Sequence, residues 1–291
     1  MPQESPYSGQ EEDRIDRWFN RKLAYPVAVV FARLGVHPNV VSIVGMMLGV
    51  ASGWWFQYQD ATVLWGVGLL VVSTILDNAD GMVARMTNKS SEFGYILDGV
   101  CDNFVFISVY VGGIYGIWTG PMPWGGTWGA WAWVLACAAG FSHGRQSAML
   151  DFYKMQWRYW ACQRDDARFK TSAEVAERRT RASGIARLFM GMHVAHARRQ
   201  ESMARRRLAL APQMEAARSR SGFSDRYASL NRLPMKGWFF MGPNWHVIAV
   251  CVFALIGRFD LYCWSQISLF NGALLATFVL QRVRDRALLA A

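Results

Sequence analysis

Four aspartates are the side chains of this chain best suited to chemistry, and they form two pairs within 26 residues. Asp77 and Asp80 are three positions apart, and Asp98 and Asp102 are four apart, so in a helix the members of each pair share one face. Two neighbouring helices can bring all four together. Carboxylates that close repel one another unless cations neutralise them. All-oxygen ligation suits Mg²⁺ or Mn²⁺, which also hold phosphate oxygens, so the spacing predicts a metal site for a phosphate-bearing substrate.

The residues between the two pairs fit a ligand site of this kind. Gly81 and Ala84 place little side chain beside the carboxylates, and Gly94 does the same one turn before Asp98, so a bulky ligand can approach the backbone. Arg85 can bind phosphate oxygens in a bidentate manner or offset surplus carboxylate charge. For the glycines taken alone, close helix packing is an equally good explanation.

The segments that carry these residues are built for lipid. The chain is 53% hydrophobic and 18% charged, and several of its apolar windows are long enough to span a bilayer. They are too long and too continuously apolar for barrel strands, so helix is expected. We predict an all-α, polytopic membrane protein with six transmembrane helices, at 38–57, 61–79, 95–117, 128–149, 238–257 and 261–281.

The basic residues predict the orientation of these spans. The connections near 57–60 and 119–126 carry no lysine or arginine, whereas the termini and most other connections are basic. Both termini are therefore expected in the cytoplasm. Arg85 and Lys89 place the aspartate pairs on the same side of the membrane. The localisation we expect is a multi-pass integral membrane protein, in the cell inner membrane if the source is bacterial.

Two helices ahead of the aspartates have features of their own. Residues 12–36 mix basic with aromatic and aliphatic side chains, a pattern typical of an amphipathic helix lying in the membrane interface. The first span then carries Gly45, Gly49 and Gly53 at intervals of four, which form one smooth face suited to close helix approach.

The longest polar stretch lies between the fourth and fifth spans. From 145 to 236 the chain has 20 basic and 8 acidic residues. A solvated helical hairpin and a surface attracted to anionic lipid headgroups are both open interpretations. Nucleic-acid binding is disfavoured because topology already explains the charge and no recognised motif is present. The predicted organisation has four parts: an N-terminal segment at 1–37, spans one to four at 38–149 with the motif at 77–102, a basic cytoplasmic insertion at 150–236, and the last two spans with a basic tail at 237–291.

The fixed positions of the acidic run read, in order, Asp77-x2-Asp80-Gly81-x2-Ala84-Arg85-x8-Gly94-x3-Asp98-x3-Asp102. This pattern resembles the signature of the CDP-alcohol phosphotransferases, also called CDP-alcohol phosphatidyltransferases, with every fixed position and every spacing kept. The resemblance is strict over these 26 residues and extends more loosely over the six spans and the interfacial helix.

The resemblance implies a six-helix membrane enzyme, a homodimer, that moves a substituted phosphoryl group from a CDP-linked donor to an alcohol and releases CMP. By position, the four aspartates would bind two divalent cations, Mg²⁺ or Mn²⁺, that hold the pyrophosphate of the donor. Asp102 would also be the general base. Gly81 and Ala84 would make room for the cytidine nucleotide, with Arg85 and Gly94 completing the pocket.

The second substrate is less closely defined by the sequence. Arg145, Arg232 and Lys236 lie on the predicted cytoplasmic side and are candidates to bind a phosphorylated alcohol, although they serve equally as topology signals. We predict a phospholipid-synthesising enzyme with CDP-diacylglycerol as donor and a small polar alcohol as acceptor. The inverted arrangement, a CDP-aminoalcohol donor with a diacylglycerol-type acceptor, has the same signature.

Two other classes of protein can also place aspartates within a membrane. An intramembrane prenyltransferase also grips a diphosphate with aspartates and magnesium, but it needs a second aspartate-rich motif, and residues 145–236 offer only isolated acids such as Asp225. A transporter or cation channel can use intramembrane carboxylates. That class does not explain small residues and an arginine at fixed places.

Overall fold

The computed structural model describes residues 15–58 and 60–289, and over this part of the chain the fold is helical, with no strand. The predicted all-α class is therefore confirmed. Residues 12–14 of the predicted interfacial helix lie outside the described residues. The helices are α1 (Arg21–Arg33), α2 (Pro38–Trp55), α3 (Val63–Met86), α4 (Glu92–Ile117), α5 (Trp131–Trp160), α6 (Ser172–Arg181), α7 (Gly184–Ala209), α8 (Ala211–Arg218), α9 (Phe223–Phe240), α10 (Pro243–Leu255), α11 (Phe259–Ser265) and α12 (Asn271–Leu289).

By length and composition, four helical segments of the described chain could cross a membrane. They are Val63–Met86, Glu92–Ile117, Phe223–Leu255 and Phe259–Leu289. Helices also form over the predicted first and fourth spans, as α2 and the first part of α5. The arrangement of six spans, and the side of the membrane on which each end lies, stay predictions.

The chain divides into two units, of which one holds the aspartates and comprises residues 14–141 and 244–267. Its centre is the packing of α2 against α3 and α4. A Cβ atom at Gly49 would stand 2.5 Å from a methyl group of Val105 on α4 and 2.6 Å from the Ser73 hydroxyl on α3. The glycine face of α2 thus lets both neighbours approach its backbone, as the sequence predicted.

Serine hydroxyls fasten the same three helices to one another. Ser73 on α3 donates a hydrogen bond to the carbonyl of Gly45 at 2.8 Å, and Ser108 on α4 donates to the carbonyl of Val50 at 2.7 Å. Both acceptors lie on α2. Since α3 and α4 are held against one helix, the ends that carry the two aspartate pairs are held side by side.

Helix α1 packs along the end of α3 that bears the first aspartate pair. Ala24 and Ala28 of α1 are fully buried against Ala79, Met82 and Val83. Other apolar side chains of α1 and of the residues just before it remain exposed, among them Trp18, Phe19, Tyr25 and Val30. An exposed apolar surface on a helix that starts with basic residues fits a position in the membrane interface, which remains a prediction.

The other unit contains residues 142–243 and the end of the chain from 268. Its interior holds a buried ion pair: Arg207 of α7 donates to Asp285 of α12 at 2.7 Å, and its second Nη atom donates to the hydroxyl of Tyr227 on α9 at 3.2 Å. Gln281 also donates to Asp285, at 2.9 Å. This network ties the basic insertion to the last candidate membrane segment.

Helices α6 and α7 form a hairpin whose first helix begins at a capping box. The Glu174 side chain accepts from the backbone N–H of Thr171 at 2.6 Å, and Thr171 Oγ1 accepts from the N–H of Glu174 at 3.2 Å. The Thr171 backbone hydrogen bond, followed by that of Arg168, lowers the pKa of Glu174 to about 2. This cap therefore stabilises α6 above the ordinary pKa of a glutamate and is lost as the pH falls through about 2.

Candidate metal centre

Three of the four predicted aspartates meet in the structure. Asp77 and Asp80 on α3 and Asp98 on α4 each offer a carboxylate oxygen, and these oxygens all lie within 4.8 Å of one another. Asp80 is buried, and the other two are half-buried. Asp77 and Asp98 are within hydrogen-bond reach of each other. Carboxylates this close need a cation or a shared proton between them.

Asp102 belongs to the same group of charges. It lies one turn after Asp98 on α4, is half-buried, and is within electrostatic reach of Asp77. Asp98 also interacts electrostatically with Asp80. The structure thus agrees with the prediction from the spacing. The members of each pair share a helix face, and these faces of α3 and α4 meet. The carboxylate oxygens supply the donor set that Mg²⁺ and Mn²⁺ prefer.

Ser42 is a residue of the site that the sequence did not predict. This serine lies on α2, is buried, and donates a short hydrogen bond to Oδ2 of Asp80. A hydroxyl that holds one carboxylate oxygen fixes the direction in which the other oxygen points. The sequence gives little reason to assign Ser42 to the site, because a single serine in an apolar helix, four residues after Pro38, belongs to no motif.

Gly81 and Arg85 occupy the exposed edge of the centre. The atoms nearest to a Cβ built at Gly81 are those of the Arg85 guanidinium, with Nη1 at 3.5 Å. The arginine therefore folds back over the glycine towards Asp80, with which it interacts electrostatically. Ala84, one residue before the arginine, is half-buried.

Arg85 also lines a cavity of about 490 Å³ between α1 and the end of α3. Two further cations line it, Arg21 and Lys22, and none of the described residues that line it is acidic. The sequence placed these two residues in an interfacial helix without linking them to the site. The packing of α1 on α3 brings them to the same cavity as Arg85, where three cations can attract a phosphate group.

Gly94 has a local structural reason for lacking a side chain. It lies in the first turn of α4, where its backbone N–H donates to the hydroxyl of Ser91, the residue that caps the helix, at 3.0 Å. A Cβ at this position would stand 3.1 Å from that hydroxyl and 3.3 Å from the side-chain oxygen of Asn39 on α2. The glycine therefore makes room for an amide side chain next to the second aspartate pair.

The three candidate acceptor residues lie apart in the chain from this group. Arg145 on α5 and Arg232 and Lys236 on α9 are exposed and belong to the unit that does not contain the aspartates. Arg145 is within electrostatic reach of Arg199 on α7. Their predicted role stays a prediction.

The fold and the site define a class: a helical integral membrane protein with a carboxylate centre at the end of two adjacent helices. Residues 35–162, which include all four aspartates, match the family model for CDP-alcohol phosphatidyltransferase. Residues 35–162 are thus similar to the CDP-alcohol phosphatidyltransferase domain, in agreement with the resemblance of the signature. The members of this family are enzymes that transfer phosphate-linked groups, and they generally depend on divalent metal ions.

Three curated relatives illustrate the range of the family. Archaetidylinositol phosphate synthase of Pyrococcus horikoshii is 34% identical over 86 residues, which is 30% of this chain and 45% of that protein. Cholinephosphotransferase 1 of Xenopus laevis is 29% identical over 139 residues, or 44% of this chain and 31% of that protein. Phosphatidylinositol phosphate synthase of Mycobacteroides abscessus is 27% identical over 106 residues, or 36% and 46%.

The chain therefore spans less than half the length of these relatives. No solved structure matches it.

Proposed function

We propose that this protein transfers a substituted phosphoryl group from a CDP-linked donor to the hydroxyl of an alcohol and releases CMP. The observation that carries the proposal is the meeting of Asp77, Asp80 and Asp98 within 4.8 Å, inside a CDP-alcohol phosphatidyltransferase domain. A prenyltransferase, transporter or channel is disfavoured because the domain matches the phosphatidyltransferase family over 35–162.

The donor set fits two divalent cations, Mg²⁺ or Mn²⁺, held by Asp77, Asp80, Asp98 and Asp102. Such ions, when bound, neutralise the charge on the pyrophosphate of the donor and stabilise the CMP leaving group. The protein contributes the geometry. Ser42 holds one oxygen of Asp80, and the glycine face of α2 keeps the two aspartate-bearing helices at a fixed separation.

Asp102 is the residue we propose as general base. It stands at the edge of the aspartate group, half-buried and one helical turn beyond Asp98. A carboxylate there can accept the proton of the attacking hydroxyl while the other carboxylates orient the donor. The atoms balance: the alcohol oxygen bonds to phosphorus, the bond from phosphorus to CMP breaks, and Asp102 takes the proton.

Arg85 and the small residues around it are proposed to bind the donor. The guanidinium lies at the mouth of a cavity that Arg21 and Lys22 also line, and it can donate two hydrogen bonds to phosphate oxygens. Gly81 and Ala84 on the same helix, with Gly94 on the next, would leave space for the nucleotide. A lipid-linked donor could keep its acyl chains in the bilayer while its headgroup reaches the carboxylates.

CDP-diacylglycerol with a small polar alcohol is the substrate pair we favour. Two of the relatives carry names of inositol phosphate lipid synthases, which supports a phosphorylated alcohol as acceptor. Arg145, Arg232 and Lys236 are the proposed acceptor residues. The protein would then work in phospholipid biosynthesis with its termini and active site in the cytoplasm, as a six-span homodimer.

The inverted substrate pair is the second candidate. The match to cholinephosphotransferase 1 covers 139 residues, a longer stretch than the matches to the two inositol phosphate lipid synthases. A CDP-aminoalcohol donor with a diacylglycerol-type acceptor needs the same chemistry at phosphorus. The two candidates differ only in which substrate carries the acyl chains.

A substrate panel separates the two. Purified protein in lipid nanodiscs would be given Mg²⁺ or Mn²⁺ with CDP-diacylglycerol and glycerol phosphate, inositol phosphate or inositol, and in parallel with CDP-choline or CDP-ethanolamine and diacylglycerol. We expect CMP release, and a new phospholipid by mass spectrometry, only in the first series. Turnover only in the second series would reverse the assignment, and no CMP in either would reject the activity.

A further inference from the structure

One face of α7 continues past the helices on which it packs. Residues 185, 188, 192, 196 and 199 recur at intervals of three and four and therefore lie along a single face of this helix. In its second half that face makes contacts with α5, although Arg199 itself stays exposed. Arg199 donates to the carbonyl of Gly144 on α5 at 2.9 Å, and Gln200 donates to the carbonyl of Ala148 at 3.1 Å.

The part of α7 that makes these contacts ends next to a candidate membrane segment. Arg207, two turns after Gln200, makes its buried ion pair with Asp285, four residues before the end of α12. Helix α12 belongs to the candidate span Phe259–Leu289. The ion pair therefore brings this part of α7 next to the end of a candidate membrane segment.

In the first half of α7 the same face is apolar and exposed. Ile185 and Leu188 are 66% and 64% exposed, and Met192 follows one turn later at 37%. The hairpin does not use these residues. Val194 and Ala197, on another side of α7, are the ones that bury against Val175 of α6. The helix therefore has a second apolar surface that its own hairpin leaves open.

Arginines are the charged residues of the segment that carries this surface. Between Glu177 and Glu201 the chain has six arginines and no acidic residue; they are Arg178, Arg179, Arg181, Arg187, Arg198 and Arg199. An exposed apolar stripe within a purely cationic segment is complementary to an anionic bilayer surface, which offers acyl chains for the stripe and phosphates for the arginines. A second copy of the chain would bring the same arginines into contact with one another.

We propose that Ile185, Leu188 and Met192 form a membrane-docking stripe that seats the first half of α7 in an anionic lipid leaflet. The arginines bind lipid phosphates, and the stripe enters the boundary between headgroups and acyl chains. Docking would hold the basic insertion flat against the membrane, anchored at its other end by Arg207. This role is independent of the substrate that the protein uses.

The test measures lipid contact at single positions of the full chain. The five native cysteines are replaced by serine, and a polarity-sensitive fluorophore is attached at Leu188→Cys or, as a control, at Glu177→Cys, an exposed residue of α6 that belongs neither to the stripe nor to the arginines. Each variant is placed in nanodiscs containing phosphatidylglycerol or phosphatidylcholine alone, with a nitroxide quencher in the lipid. Thermal melting confirms that both labelled variants are folded.

We expect the Leu188 label to be quenched about threefold more strongly than the Glu177 label in anionic discs. The difference should shrink in phosphatidylcholine discs and at high salt, because screening weakens the arginine contacts. Equal quenching at the two positions in anionic discs would overturn the proposal. A Leu188 label that is shielded from solvent only in discs that hold two copies of the chain would assign the stripe to self-association. That result would also overturn the proposal.

Discussion

At the scale of single residues, the centre depends on side chains from three helices although only two of them carry aspartates. Asp80 is buried and holds its orientation through Ser42 on α2, while Asp102 is half-buried and is not one of the three carboxylates that meet within 4.8 Å. These positions suggest separate duties. Asp80 is suited to fixed metal ligation, and Asp102 is suited to proton transfer with a substrate that enters and leaves.

The role of Asp102 can be tested by removing its charge alone. Asp102→Asn keeps the size of the side chain but cannot accept the alcohol proton, so we expect turnover to fall by about 10²- to 10⁴-fold with an unchanged melting temperature. CMP release at saturating substrates is the measurement. Glu92→Gln, a change in the same acidic run outside the signature, is the control and should retain activity. Near wild-type turnover in Asp102→Asn would remove this residue from the base role.

Ser42 gives a prediction about metal affinity. Without the hydroxyl, Asp80 loses the partner that orients it, and loss of such a partner typically weakens metal binding by about 10- to 100-fold. The Mg²⁺ concentration for half-maximal CMP release should therefore rise in Ser42→Ala. Ser52→Ala is the matched control, since Ser52 is buried on the same helix but donates to the carbonyl of Gly49. An equal metal requirement in the two variants would contradict the proposed role of Ser42.

At the scale of elements, α2 determines where the aspartates stand. Its glycines admit α3 on one side and α4 on the other, and serines from both neighbours reach its backbone carbonyls. The contact continues away from the site, where Gly112 of α4 meets the carbonyl of Gly53. Replacing any of these glycines should separate helices that the metal centre needs together.

Gly112→Ala tests this packing against a matched change elsewhere. The added methyl group would overlap the backbone of Gly53, and overpacking of this kind costs about 1–3 kcal/mol. We expect a lower melting temperature and reduced CMP release. Gly68→Ala on α3 meets nothing within 4 Å and should be neutral or slightly stabilising, because alanine favours helix by roughly 0.5–1 kcal/mol. Equal melting temperatures for the two variants would show that the close approach is not needed.

Spacing alone predicted the aspartate group, because residues three or four apart share a helix face whatever the helix packs against. The glycine face of α2 was readable for the same reason. Ser42, Arg21 and Lys22 were not, since their relation to the site comes from contacts between helices distant in sequence. The position of α7 was hidden likewise, because a basic amphipathic pattern does not reveal which side packs on a neighbour.

At the scale of the whole molecule, the basic insertion is a folded part of its unit. Arg207 and Asp285 are both buried, and their network includes Tyr227 and Gln281, so α7, α9 and α12 share one interior. A merely solvated appendage would not contain such a network. The insertion instead supports the helix that ends the chain's last candidate membrane segment.

Removing one partner of this ion pair should therefore destabilise the protein strongly. Arg207→Leu leaves Asp285 buried without its cation, and we expect the free energy of unfolding to fall by about 3–5 kcal/mol. Thermal melting in detergent measures this loss. Arg181→Leu breaks an exposed pair with Glu177 and should cost less than ~1 kcal/mol. The double variant Arg207→Leu/Asp285→Leu should recover part of the stability. A similar melting temperature for Arg207→Leu and Arg181→Leu would contradict the structural role of the buried pair.

The most direct test of the proposed activity is metal-dependent CMP release from CDP-diacylglycerol by the purified protein. With a phosphorylated or free small alcohol as acceptor, we predict CMP release with Mg²⁺ or Mn²⁺, none after chelation with EDTA, recovery when the metal is restored, and none in Asp80→Asn under any of these conditions. CMP release that survives EDTA, or that persists in a folded Asp80→Asn variant, would contradict the proposal that the aspartate group is a metal centre for phosphoryl transfer.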